Sequence, residues 1–330
     1  MKFKLVERIL PDFDPETYIV DEGLKNAAEV AFALRQPLLL MGEPGTGKTR
    51  FAHKLAYELA RSTSEHPYRF SPDLLVFNTK TNSVARDLFY TYDALAHFQS
   101  ANIRREAGQT PPETAGFLAL QALGSAIAMT NPAPLNSLKF GEKLPAQPQS
   151  SVVLIDEIDK APRDFPNDIL NEIEDQEFFI RELDNLPVRR NRDIPILIVM
   201  TSNSEKNLPD AFLRRCVFYH IPFPDATQLK HIARTSLGTA GQAFSDEYLD
   251  QLIRKFEEIR KTAPRKAPGT AELLAWLRVI GLQNIHDLES AENRRKLREN
   301  LSILVKSKDD YDAVKDVFEQ KNNRDTESTD

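Results

Sequence analysis

Eight residues, Gly42, Glu43, Pro44, Gly45, Thr46, Gly47, Lys48 and Thr49, follow the apolar run Pro37–Met41 and precede a pattern with Phe51, Leu55 and Leu59 at i, i+4 and i+8. They satisfy G-x-x-x-x-G-K-[ST] in the strand–loop–helix setting that gives this motif its physical meaning. The glycines let the backbone turn tightly so that N–H groups converge on phosphate oxygens, and the following helix adds its positive dipole end. Lys48 is placed to reach the β- and γ-phosphates and the Thr49 hydroxyl to ligate Mg²⁺. Arg50 completes the candidate cofactor-binding segment. A loop of this kind needs a buried strand before it and a helix after it, which points the chain toward an α/β sheet.

The next 170 or so residues keep to that plan. Short apolar runs bounded by turn residues recur at 74–78, 152–155, 196–201 and 217–221. With helical patterns between them, such runs suit buried strands of a parallel sheet covered on both faces. After Pro224 only helical spacing remains. Asp225 is a plausible N-cap for Leu229, Ile232 and Ala233; Ser245, with Asp246 and Glu247 behind it, starts a helix carrying Leu249, Leu252, Ile253 and Phe256. Leu273, Leu274 and Leu277, then Leu297, Leu301 and Leu304, continue the series. The expected division is an α/β domain over 1–224, a small all-α domain over 225–320, and a disordered tail over 321–330, which has no apolar residue.

Charge and cysteine content narrow the function classes. Lys+Arg is 43 against Asp+Glu 49, a net charge of −6, unlike a protein whose main task is coating nucleic acid. The single cysteine, Cys216, excludes an intramolecular disulfide framework and a cysteine zinc site, and fits a reducing, cytoplasmic setting. Arg214 and Arg215 beside it could lower its thiol pKa, but a structural role is the simpler reading. None of the six histidines forms an i,i+3 or i,i+4 pair, and His220, in an apolar strand, reads as a core or interface residue. The first residues lack the apolar region of a secretory signal. The uncharged stretch between Glu113 and Lys139 has an apolar centre only from Phe117 to Met129, short of the roughly 20 residues of a membrane span. It reads as one buried or partner-facing helix with Phe117, Leu120, Leu123 and Ile127 on one stripe.

Three further elements carry chemistry. The apolar run Val152–Ile155 ends in Asp156 and Glu157, two carboxylates at the sheet edge where α/β proteins bind ligands. Asp156 is the candidate to hold Mg²⁺ and Glu157 the candidate to orient and deprotonate an attacking water. Asn203, after the strand ending in Thr201 and Ser202, can meet a γ-phosphate or the lytic water. Arg214 and Arg215 precede the run Val217–Ile221 and are either a solvated helix end or charges offered to a phosphate.

In this order the elements resemble an AAA+ ATPase, and more narrowly the MoxR family. The likeness rests on Tyr18 to Glu22, on the loop Gly42–Thr49, on Leu154 to Pro162, on the helix pattern from Pro166 to Glu174, on Val199 to Asn203 and on Leu208 to Cys216. It implies a five-stranded parallel sheet in the order 5-1-4-3-2, a helical lid, and ATP with Mg²⁺. It assigns Asn203 the sensor-1 role and makes Arg215 the preferred arginine finger, acting on a neighbouring subunit of a ring, usually a hexamer. It also places the backbone of Tyr18, Ile19 and Val20 beside the adenine. The leading function it implies is a ring-forming Mg-ATPase that remodels or assembles protein partners, among them a protein with a von Willebrand factor A domain. An ATP-dependent oligomeric switch of a conflict or antiphage system, and a McrB-like nucleic-acid motor, are the alternatives, the last disfavoured by the net charge.

The sequence departs from the family pattern in three places. Asp156 follows Lys48 by 108 residues, which implies an insertion over about 93–149. Residues 179–192 match the family's hairpin, with Arg189, Arg190 and Arg192 expected at a basic tip. The lid arginine called sensor 2 has only Arg265 and Lys266 near its expected place before Pro268, in an ambiguous register.

Overall fold

The computed structural model describes residues 13–62, 67–138, 140, 144–204, 208–238, 244–288 and 290–318; the expected tail at 321–330 lies outside them. These residues divide into two units, one of 20–42 with 48–221 and one of 13–19, 43–47 and 222–318.

The first unit is built on nine strands: β1 (Leu38–Met41), β2 (Leu75–Asn78), β3 (Tyr90–Tyr92), β4 (Leu118–Leu120), β5 (Ser151–Asp156), β6 (Glu177–Ile180), β7 (Leu186–Arg189), β8 (Ile196–Ser202) and β9 (Val217–His220). Five of them form one parallel sheet in the order β2-β5-β8-β1-β9. Counted among themselves and read from the β9 edge, these are 5-1-4-3-2. All seven residues of β8 and the first five of β5 are buried. Since successive side chains point to opposite faces, both faces must be covered, and so these strands are apolar without alternation. The helices of this unit are α1 (Glu22–Leu34), α2 (Lys48–Arg61), α3 (Ala94–Glu106), α4 (Ala122–Thr130), α5 (Ala133–Asn136), α6 (Phe165–Asp175) and α7 (Asp210–Leu213). Of these, α1 packs on β1 and β9, α2 on β5 and β8, and α4 on β2 and β5.

The uncharged stretch is not one helix. Thr114–Phe117 is a 3₁₀ turn, Leu118–Leu120 is β4, paired antiparallel with β3, and α4 starts only at Ala122. Leu118 and Leu120 are buried on either side of exposed Ala119, a period-2 pattern that a helical stripe through Leu120 conceals. Along α4 the burial is complete except at Ser125, so the helix has no face for a charge. Its Gly124 lies against the chain: a Cβ there would sit 1.9 Å from the Phe89 carbonyl oxygen. In contrast, α3 buries no residue, and Leu95, Phe98 and Ile103 are each about two-thirds exposed.

β6 and β7 form the expected hairpin, but its basic residues are not at the tip. Arg181, Glu182, Asp184 and Asn185 make the turn, the last two at φ 53° and 56°. Arg189, Arg190 and Arg192 come at the other end, where β7 leaves the pairing.

The second unit contains α8 (Ala226–Leu237) and the helices Asp246–Thr262, Thr270–Leu282, Ala291–Glu299 and Lys308–Val314. Asp225 caps α8 with a reciprocal bond from Gln228, and Ser245 caps the next helix through the Tyr248 N–H. Trp276, Phe256, Leu249 and Leu277 centre its core. The short turn Pro15–Thr17 packs against α8. No helix among the described residues is long and apolar enough to cross a membrane.

Candidate functional site

β5, β8 and β1 are adjacent and parallel, so Asp156, the segment after Thr201, and Gly42 all emerge at the same edge of the sheet. This is the carboxyl edge at which open α/β sheets bind ligands. Gly42 turns the chain away from β1, and Lys48 and Thr49 open α2.

Lys48 is 7% exposed, and its ammonium donates to the Gly42 carbonyl and to Asn203 Oδ1, both at 2.8 Å. Thr49 Oγ1 donates to the Asp156 carboxylate at 3.0 and 3.2 Å. Asn203 Nδ2 lies 3.5 Å from Glu157 Oε1, so one side chain spans the lysine and the second carboxylate. The structure thus brings Lys48, Thr49, Asp156, Glu157 and Asn203 into one contiguous cluster. Arg50, next on α2, is exposed.

Two supporting groups escaped sequence reasoning. The buried Thr201 hydroxyl donates to Asp156 Oδ1 at 2.5 Å and accepts from the Glu157 N–H at 2.8 Å. Asp159 accepts from the Asn203 N–H at 3.2 Å. Glu157 itself sits at φ 55°, ψ 51°, a left-handed conformation that a non-glycine residue adopts at a cost. The Thr201 bond and the Lys160 N–H to Glu157 carbonyl bond at 2.9 Å hold it there. The only sequence signal for these partners is polarity at the end of an apolar strand.

The electrostatics fit a site of opposed charges. The Lys160 ammonium pairs with the Glu157 carboxylate, and this bond raises the lysine pKa above its ordinary value. Burial pushes the His53 imidazole down, against the pull of Asp156. Cys216 fits its structural reading and not the lowered pKa that its arginine neighbours suggested: burial pushes its thiol up to about 12, and its Sγ donates to the Phe212 carbonyl at 3.4 Å. Arg214 and Arg215 are exposed just before β9, and Arg215 Nε pairs with Glu174 of α6 at 3.2 Å. His220 is not a core residue, because it is exposed on the edge strand β9.

The tip of the glycine loop belongs to the second unit. Gly45 and Gly47 hold φ 83° and 92°, where a side chain is strained. A Cβ on Gly47 would lie 3.0 Å from the Tyr18 ring, and one on Gly45 would lie 3.2 Å from Gly269 Cα. Ile19 and Val20 follow Tyr18 outside any helix or strand, the former 45% exposed. The cation that meets this loop is Arg260. Its guanidinium lies 3.6 Å from the Phe223 ring centroid, donates to the Pro268 carbonyl at 2.7 Å, and pairs with Glu43. Arg265 instead pairs with Asp309 at 2.5 Å, and Lys266 is exposed. Nothing in the local sequence of the helix Asp246–Thr262 sets Arg260 apart from its neighbours.

The family model for the AAA domain (dynein-related subfamily) matches residues 37–216. No curated protein matches the chain. Among solved structures, domain III of the Thermotoga maritima replication initiation protein DnaA is similar at 13% identity and TM-score 0.43, over 89% of this chain and 96% of that one. The E. coli MS115-1 HORMA:CdnC:Trip13 complex contains a chain at 16% identity and TM-score 0.43, over 87% of this chain and 80% of that one. Rhizobiales Trip13 gives 15% and 0.42, over 87% and 79%.

Proposed function

Because the chain belongs to the dynein-related AAA family, we propose that it is a MoxR-like ATPase that hydrolyses Mg-ATP and uses the cycle, as a ring of copies, to remodel or assemble protein partners. The observation that carries this reading is the hydrogen-bonded cluster linking Lys48 to Asn203, Asn203 to Glu157, and Thr49 to Asp156. The donor set fits the group it would hold. A hydroxyl and a carboxylate offer hard oxygens to Mg²⁺, and no group of three His, Cys, Asp or Glu side chains among the described residues competes as a metal cage. When bound, the metal would neutralise charge building on the phosphates.

Lys48 would exchange the Gly42 and Asn203 acceptors for phosphate oxygens, and the N–H groups of residues 43–47 would line the same anion. Glu157 would take the proton of the attacking water, with Asn203 fixing that water or the γ-phosphate. The backbone of Tyr18 to Val20 would border the base. Residues 1–224 would act as the ATPase domain, 225–320 as the lid, and Arg215 as the finger completing a neighbour's site. A partner with a von Willebrand factor A domain and a cytoplasmic setting belong to the same reading, the latter in keeping with a single cysteine.

One observation favours a second reading, an oligomeric switch with slow turnover: the Lys160 ion pair occupies the carboxylate proposed as base. A single experiment addresses both. Lys48→Ala should abolish ATP binding in a folded protein, while Glu157→Gln should bind ATP and turn over about 100-fold more slowly than the wild type, the scale of one general base. Undiminished ATP affinity in Lys48→Ala would sink the site. Negligible wild-type turnover alongside ATP-dependent assembly would select the switch.

A further inference from the structure

At the opposite, amino-terminal edge of the same sheet the chain gathers four arginines. Arg35 lies just before β1, Arg190 and Arg192 between β7 and β8, and Arg69 before the Phe70–Ser150 bridge that leads into β5. Arg35 adopts φ 55°, ψ 34° after α1 and donates through Nη1 to the Arg192 carbonyl at 3.0 Å. Arg190 is half-buried; its Nη1 bonds Gln176 Oε1, and its buried Nε has no hydrogen-bond partner. Burial, and behind it the charges of Arg35 and Arg192, push the Arg190 guanidinium below its ordinary pKa. None of the four has a carboxylate at ion-pairing distance among the described residues. Like charges gathered this way repel, and a buried unpaired donor costs further free energy. Both penalties are relieved by an anion.

A cavity of about 530 Å³ adjoins the cluster, lined by Tyr68, Arg69, Gln147, Asp193 and Ile194. Tyr68 is near enough to Arg35 to feel its charge, and Asp193 follows Arg192 in the chain. The volume falls in the range of small-molecule sites, on the order of 300–1,000 Å³. Guanidinium forks match phosphoryl oxygens in pairs, a tyrosine ring offers a flat apolar face, and a carboxylate accepts from a hydroxyl or N–H. We propose that this edge is a second site, distinct from the glycine loop, for a phosphorylated small molecule whose phosphoryl end meets Arg35, Arg190 and Arg192 and whose organic part enters the cavity. The compactness of the cluster favours a single phosphorylated molecule over a nucleic-acid backbone, which needs cations along a track.

The test is equilibrium dialysis of the full chain with inorganic pyrophosphate, in the wild type, in Lys48→Ala, and, both added to the Lys48→Ala background so that the glycine loop is silent, in Arg192→Ala and the double variant Arg35→Ala/Arg192→Ala. Arg192 is exposed and makes no ion pair, so its variant should fold, as circular dichroism would verify. Pyrophosphate binding that survives Lys48→Ala, weakens roughly 10-fold in Arg192→Ala and disappears in the double variant supports the site. No binding that survives Lys48→Ala, or binding indifferent to both arginine substitutions, overturns it. So does a 30-nucleotide single strand that displaces pyrophosphate with a steep salt dependence, which would assign the cluster to a nucleic-acid backbone. Loss of the glycine-loop reading leaves this outcome unaffected, because the readout is what remains without Lys48.

Discussion

A single hydroxyl ties together the two acidic residues at the carboxyl edge of the sheet. Thr201 bonds the Asp156 side chain and the Glu157 backbone, and so fixes both an acceptor and an unfavourable φ. Thr201→Val keeps the shape and removes both bonds, one of them to a charged group. It should lower unfolding free energy by about 1.5–3 kcal/mol and slow ATP turnover while leaving ATP binding largely intact. Urea unfolding and steady-state phosphate release check the two effects separately. At this scale the sequence was legible where residues adjoin in the chain: the glycine loop and the acidic pair announce themselves by spacing. Thr201 meets Glu157 from 44 residues away and Arg260 meets Glu43 from 217, and no local pattern encodes such a meeting.

Among the elements, β1, β5 and β8 were legible because burial on both faces leaves an unbroken apolar run. The segment from Phe117 to Met129 was not, because Leu118 and Leu120 satisfy a strand pattern while Leu120, Leu123 and Ile127 satisfy a helical one. Pairing with β3 and the Gln121 N–H to Phe89 carbonyl bond at 2.8 Å decide between them. The same neighbour makes α4 intolerant of bulk. Gly124→Ala would drive a methyl to 1.9 Å from the Phe89 carbonyl oxygen, a backbone atom that a rotamer change cannot move. The expected loss is about 1–3 kcal/mol or more, against a change within about 0.5 kcal/mol for Ser125→Ala on the half-buried position beside it. Thermal melts of the two variants distinguish this from a general weakness of the helix.

On the scale of the whole molecule, the proposed ring turns on Arg215. The Glu174 pair holds its guanidinium at the exposed end of α7, ahead of the edge strand β9. Arg215→Ala should bind ATP nearly as the wild type does and lose turnover by about 10³–10⁵ if it supplies a neighbour's γ-phosphate. Mixed with Lys48→Ala, also inactive, it should regain part of the rate, because some sites then combine an intact loop with an intact arginine. Mixed assemblies that form without any turnover would pass the role to Arg214. The sheet order has its own consequence in time. Leu38 pairs with Val199 and Ser151 with Ile196, so the strands that frame the glycine loop come from distant parts of the chain. Closing such long loops precedes any gain from the contacts, which makes parallel pairings slow. During refolding from urea, helical circular dichroism should therefore return first, and capture of a fluorescent ATP analogue should lag behind it. Coincident recovery of the two signals would mean that the helices wait for the sheet.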